Sequence, residues 1–240
     1  MSEFGVYVHI PFCRHRCDYC AFATWTDRDH LMVAYVDAVI ADIARAVEKG
    51  MPVADTVFFG GGTPTRLAPE LLASIVSAIP VTSNAEITVE CNPDDVIVEM
   101  MKTYVVAGVN RISMGVQSMV DHVLQSLGRT HDPANVVKAI AAARAGGITS
   151  INLDLIYGVH GESVDDWRTT VEQTIALQPT HISAYGLTVE AGTPLADDPS
   201  RHPDDDDQAD KYILADDLFS AAGLMNYEIS NWALAGHECR

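Results

Sequence analysis

The chain has 240 residues, 48% hydrophobic and 20% charged, which is enough for one large core and contains no apolar run able to cross a bilayer. Its 15 basic against 33 acidic residues give a formal charge of -18, a field that repels phosphate backbones and anionic lipid surfaces. Nucleic acid is thereby excluded as a partner, and membrane contact is at most peripheral. Residues 1–5 are short and polar, and the apolar run after them is too brief for a secretory core, so a reducing cytoplasm is the expected compartment.

The first predicted strand covers residues 5–10 and runs into Cys13, Cys17 and Cys20, a CxxxCxxC spacing on one short loop. Three such thiolates can hold three irons of a four-iron, four-sulfur cluster and leave the fourth iron open. The alternatives are zinc and a disulfide. A closed zinc site wants four ligands, and no second pair follows at zinc-ribbon distance. A disulfide is disfavoured in a reducing compartment.

After the cysteine loop, helical periodicity covers 29–48, and a strand at 56–59 runs into Gly60-Gly61-Gly62-Thr63-Pro64-Thr65. Glycines there expose backbone amides and carbonyls to a closely packed ligand, although they also make ordinary tight turns. A helix at 69–78 leads to a strand at 86–90 that ends on Glu90, where a carboxylate can bind an amine or hydroxyl or cap the next helix. The helix at 94–107 is followed by a strand at 111–114 with Gln117 beyond it, then by Arg129 and a helix at 133–145. The strand at 150–155 carries Asp154, whose burial without a partner would be costly, and an Arg129–Asp154 ion pair is the plain structural account. A helix at 164–177 and a strand at 181–186 complete the pattern.

Helices follow strands throughout, so the fold class is α/β with a parallel sheet, and six units fit a partial (β/α)6 barrel better than a doubly wound sheet. Residues 1–190 are expected to form the core barrel. Residues 191–240 would extend it with a loop, a helix and a strand, the acidic run 204–207 being a solvated entry to that helix. In a parallel barrel, ligands gather at the carboxyl ends of strands, where Glu90, Gln117 and Asp154 fall. His9 reads either as a tuner of a cluster sulfur or as a satisfied core residue, His15 as solvent-facing, and Cys91 as a small buried residue. His237 and Cys239 receive no ligand role, and Met114 and Met119 are read as packing.

The CxxxCxxC loop followed in order by GGGTPT, VECNPDD, RISMGVQS, LGRTHD, INLDLIYG and NYEISNWA resembles the radical S-adenosylmethionine (SAM) superfamily. More narrowly, it resembles the branch holding oxygen-independent coproporphyrinogen III oxidase (HemN) and the haem chaperone HemW. The resemblance implies that Cys13, Cys17 and Cys20 ligate a 4Fe-4S cluster whose fourth iron is chelated by SAM. It further implies that Tyr7, Tyr19, Gly61, Gly62, Thr63, Glu90, Gln117, Arg129 and Asp154 bind that cofactor. The oxidase side carries a longer N-terminal extension and a further cysteine two residues after the motif, where this chain has Ala21 and Phe22. Both differences favour the chaperone side, whose members are thought to hold haem and deliver it to respiratory enzymes. The implied partners are haem or a porphyrinogen, haem-receiving respiratory proteins and an electron donor. The HNxxY motif associated with haem binding would lie beyond Arg240, so the chain is expected to be a fragment ending before a C-terminal region.

Overall fold

The computed structural model describes residues 4–240; residues 1–3 of the polar N-terminal segment lie outside the described residues. Six parallel strands follow one another in the sheet in chain order: β1 (Gly5–Ile10), β2 (Ala54–Gly61), β3 (Val81–Cys91), β4 (Arg111–Gln117), β5 (Ser150–Tyr157) and β6 (His181–Gly186). A hairpin of β7 (Met225–Glu228) and β8 (Asn231–Ala233) then adds antiparallel to β6 through β8. The sheet therefore runs from β1 to β7 as its two edges, a partial barrel as the alternation predicts.

The outer face carries α1 (Met32–Glu48), α2 (Pro69–Ala78), α3 (Val98–Ala107), the short α4 (Asp121–Ser126), α5 (Pro133–Ala145), α6 (Val164–Ala176) and α7 (Asp205–Ala221). Local chemistry sets their ends. Proline opens α2 and α5, where its missing N–H costs nothing. Ser163 and Asp166 form a reciprocal capping box on α6, and Gly108 stops α3 in the left-handed region at φ 106°. Asp204 caps α7 by accepting the Asp207 N–H, which agrees with the acidic run being a helix entry.

Some boundaries differ from expectation. Residues 29–31 and 93–95 are tight 3-10 turns, and α1 and α3 begin only at Met32 and Val98. The reason at 93 is local: Pro93 cannot continue a helix from Asn92, whose side chain caps the turn instead. α4 and the separate β7–β8 pair lie in stretches too short for periodicity to reveal.

Strand side chains alternate between two environments. Ile10, Phe59, Val89, Ile112, Leu153 and Ile182 face the helices and are almost wholly buried in one continuous core with Leu72, Met101, Tyr104, Val136, Trp167 and Phe219. Burying each such apolar side chain contributes roughly 1.5–3 kcal/mol. The opposite face turns Thr88, Arg111, Ser113, Asn152, His181 and Ser183 into the barrel, all buried. An interior lined by polar groups is built for hydrogen bonding rather than for packing alone. After the carboxyl end of β5, buried Lys211 of α7 pairs with Glu162 at 3.0 Å and Asp207 at 2.7 Å and ties that helix to the loop before α6. Among the described residues, no helix is long and apolar enough to cross a membrane.

Candidate functional site

A cavity of about 650 Å³ opens at the carboxyl ends of the strands. Its wall includes Cys13, Cys17, Cys20 and Tyr19 from the loop after β1, Gly61, Gly62 and Thr63 at and just after the end of β2, Glu90, Gln117 and Asp154 from the strands beyond, and Arg129 from the loop after α4. The long sequence separations among these residues are closed by the parallel sheet, which puts each strand's last residues on one rim.

The cysteine loop is pinned at its base: the Cys13 N–H donates to the Trp25 carbonyl at 3.0 Å and the Trp25 N–H to the Pro11 carbonyl at 2.8 Å. Phe12 anchors it from below, fully buried and edge-on to Tyr35. All three thiols are free and half-buried. Burial pushes the Cys13 and Cys20 thiols above their usual range, while the Thr63 hydroxyl, 3.7 Å from the Cys13 sulfur, works the other way. Arg129 Nη1 donates to the Cys17 sulfur at 3.5 Å, placing a cation where a thiolate gains from it. Among the described residues, no three His, Cys, Asp or Glu side chains converge as a single metal ion demands. Three thiols that line one cavity are the donor set that three irons of a multi-iron cluster would need.

The glycine segment is required by contact. A Cβ on Gly62 would lie 2.7 Å from the Phe12 carbonyl oxygen and 3.1 Å from the Cys13 sulfur. Gly61 sits at φ 109°, and its N–H donates to Glu90 Oε2 at 3.1 Å. Burial, with the Asp154 charge as a second contribution, pushes the Glu90 carboxyl up to about 7, against the pull of that Gly61 hydrogen bond.

Asp154 is fully committed on one side: Ser113 Oγ donates to Oδ2 at 2.8 Å and Asn152 Nδ2 to Oδ1 at 2.8 Å. Burial raises its pKa, and these hydrogen bonds with the charge of Arg111 oppose the rise. The Arg129–Asp154 ion pair therefore does not form. Arg129 instead donates to Cys17, to the Gly115 carbonyl at 3.0 Å and to His131 Nδ1 at 3.4 Å. The reason is register, since Asp154 faces its own neighbours on β4 and β5 while Arg129 approaches from the loop after α4.

His131 was not singled out in the sequence. Its Nε2 faces the Val116 carbonyl at 2.9 Å and so carries the proton, leaving Nδ1 to accept from Arg129. Burial and then Arg129 hold its pKa down to about 4. Ser113 and Asn152 are further additions; the only sequence cue to them was polarity inside apolar strands. Gln117 adopts φ 64°, in the left-handed region, at a register shift between β4 and β5, and this unusual conformation turns its end of β4 onto the cavity. Burial raises the Tyr19 hydroxyl's pKa.

Tyr7 stands apart from the other implied residues. It is 58% exposed, stacks on Phe58 and bonds His9 Nδ1 at 3.1 Å, outside the cavity wall. His9 is likewise committed elsewhere, its Nε2 meeting the Ala23 carbonyl at 2.9 Å, so it braces the cysteine loop and makes no bond to a sulfur. His15 is exposed and Cys91 buried, as read from the sequence.

Residues 7–174, more than half of the chain, match the family described as the Radical SAM superfamily. The chain is 41% identical over 251 residues to the "Heme chaperone HemW" of Mycobacterium tuberculosis, covering 100% of this chain and 64% of the relative. It is 37% identical over 247 residues to the protein of the same name in Escherichia coli, covering 100% of this chain and 65% of the relative. This chain thus spans just under two thirds of the length of these relatives. Among solved structures, coproporphyrinogen III oxidase (HemN) from Escherichia coli, described as a radical SAM enzyme, superposes with a TM-score of 0.88 at 25% identity, over 98% of this chain and 56% of that one. Methylornithine synthase (PylB) superposes at 0.64 with 12% identity, a likeness of fold. Matched by that family over residues 7–174, the chain belongs to the radical SAM superfamily.

Proposed function

We propose that this chain is the 4Fe-4S and SAM-binding core of a cytoplasmic haem chaperone of the HemW kind, which holds haem and passes it to respiratory enzymes. Residues 1–190 form the core barrel and residues 191–240 extend it. The observation that carries the reading is the convergence on one cavity of three thiols from one loop with polar groups from the ends of four separate strands. Cys13, Cys17 and Cys20 hold the cluster; Gly61, Gly62, Thr63, Glu90, Gln117, Arg129 and Asp154 hold SAM, with Tyr19 beside them. Tyr7 is assigned outside the contact set and supports the loop through His9.

When bound, the cluster and SAM supply one-electron reduction and radical chemistry, and the protein's part is to position and shield. Gly62 lets the segment after β2 pack directly against the Cys13 loop, where any larger residue would collide with the Phe12 and Ile10 carbonyl oxygens. Glu90 and Asp154 offer the acceptors an ammonium or hydroxyl group needs, while Arg129 offers positive charge to a carboxylate and to Cys17. His131 keeps that guanidinium aimed.

The test is anaerobic reconstitution of the purified protein with iron and sulfide, followed by metal analysis and equilibrium SAM binding. Cys13→Ala, Cys17→Ala and Cys20→Ala should each lose the cluster; full iron and sulfide in all three would sink the assignment. The structural likeness to HemN favours one second reading, decarboxylation of coproporphyrinogen III. Repeated formation of protoporphyrinogen by the reconstituted protein with reductant and SAM would establish that reading over the chaperone.

A further inference from the structure

The three cysteines are held by two different parts of the chain. Cys13 is fixed at the base of its loop through Trp25 and Pro11, whereas Asp18 and Tyr19, the two residues between Cys17 and Cys20, are gripped from elsewhere. The Asp18 N–H donates to the Leu127 carbonyl at 3.3 Å, and the Asp18 carbonyl accepts the Leu195 N–H at 3.1 Å. The Asp18 carboxylate pairs with Arg201 at 3.0 Å, the two side chains being 33% and 22% exposed. Gly128 closes against that carboxylate: its φ is 69°, and a Cβ there would lie 2.9 Å from Asp18 Oδ1.

Leu195 and Arg201 belong to the stretch between β6 and α7, whose regular structure is one 3-10 turn at Pro199–Arg201. Its Pro and Asp content suits an exposed loop, yet it is fastened at several points. The buried Thr193 hydroxyl donates to the Glu190 carbonyl at 2.7 Å and accepts the Ala196 N–H at 3.2 Å. Leu195 is buried in a small apolar cluster with Leu127, Val159 and Leu187, and Tyr19 packs against that cluster. Asp198 caps the turn by accepting the Ser200 N–H at 3.2 Å, which holds Arg201 at the turn's end. Arg201 donates in addition to the Ser126 carbonyl at the end of α4. The gap left between these parts is about 10 Å³, room for a single water at most.

We propose that residues 193–202 are a strap that sets the Cys17–Cys20 half of the cluster site, and that Arg201, acting through Asp18, is its positioning residue. This rests on the reading of Cys13, Cys17 and Cys20 as cluster ligands. A cluster bound through three sulfurs needs their spacing held closely. Cys13 is anchored independently, so the strap fixes the other two relative to it. Groups that orient ligands without touching the metal strongly affect how tightly it is held. An ion pair this exposed adds little to global stability, so its effect falls on the site rather than on the fold.

The experiment is iron release from the anaerobically reconstituted protein to an excess of a ferrous chelator, alongside urea unfolding of the same proteins without cluster. Arg201→Gln and Asp18→Asn should each lose iron about tenfold faster than the parent, and the two together no faster than either alone. Arg201→Lys should recover part of the difference, and all urea midpoints should stay close to the parent's. Release at the parental rate in both single variants overturns the strap's role and leaves the cluster reading standing. Faster release that only follows a lower urea midpoint also overturns it, as does an Arg201→Lys protein no slower than Arg201→Gln, since each marks general loosening. A parent that assembles no cluster overturns the reading itself and the proposal with it.

Discussion

Glu90 provides the sharpest test of the electrostatics inferred for the cavity. Its carboxyl is raised from 4.5 to about 7 because burial and the nearby Asp154 charge penalise the ionised form. Between those two values the folded state binds more protons at this position than the unfolded chain, so stability falls as pH rises through the interval. Above the folded value the full penalty applies, about 3 kcal/mol at 1.36 kcal/mol for each unit. Glu90→Gln keeps the shape and an oxygen for the Gly61 N–H but cannot ionise. Without cluster or SAM, the variant should therefore be more stable than the parent by about 2–3 kcal/mol at pH 8, and the difference should vanish near pH 4.5. Urea unfolding of both proteins across that range reads this directly. A difference that does not change with pH, or a variant less stable at pH 8, would refute the account of Glu90 as a buried, charge-penalised carboxyl. The same substitution should weaken SAM binding, since it removes an ionisable acceptor from the cavity.

Gly62→Ala places a Cβ 2.7 Å from the Phe12 carbonyl, a clash with backbone that should cost about 1–3 kcal/mol and displace the Cys13 loop. Urea unfolding should show the loss and reconstitution should show less iron; an unchanged protein on both counts would remove the close-approach argument. Lys211→Met leaves Glu162 buried beside α7 without its cation and should cost about 3–5 kcal/mol in the same assay. Pairing it with Glu162→Gln should recover much of that loss, and strictly additive losses would show that the two residues do not act as an ion pair.

Much of this architecture was legible because its signals are local. The strands at Gly5–Ile10 and His181–Gly186 and the helices at Pro69–Ala78 and Pro133–Ala145 fall where periodicity and helix-start residues place them. Strand interiors read correctly more often than strand ends, because apolar alternation stops before hydrogen bonding does: β3 pairs from Val81 although its apolar pattern begins near Glu86. The cysteine spacing and the strand-end acids were equally visible, being matters of residue type and position.

What the sequence by itself determined is thus the alternation of strands and helices, the cysteine loop and the class of polar residue at each strand's carboxyl end. Each depends on neighbours a few residues apart. Partnerships depend on which side chains the register turns to the same face, and only the tertiary structure decided those. Asp154 looked like a partner for Arg129, yet β4–β5 pairing gives it Ser113 and Asn152, while Arg129 is taken by Cys17, Gly115 and His131. Tyr7 shares a strand with the cluster loop, but stacking on Phe58 holds it away from the cavity. Arg111 begins the strand predicted at 111–114, and only the tertiary structure shows its side chain buried in the barrel interior, 3.5 Å from the Thr88 hydroxyl. Hydrogen bonding inside a barrel is settled by residues tens of positions apart, and no local pattern encodes which of them meet.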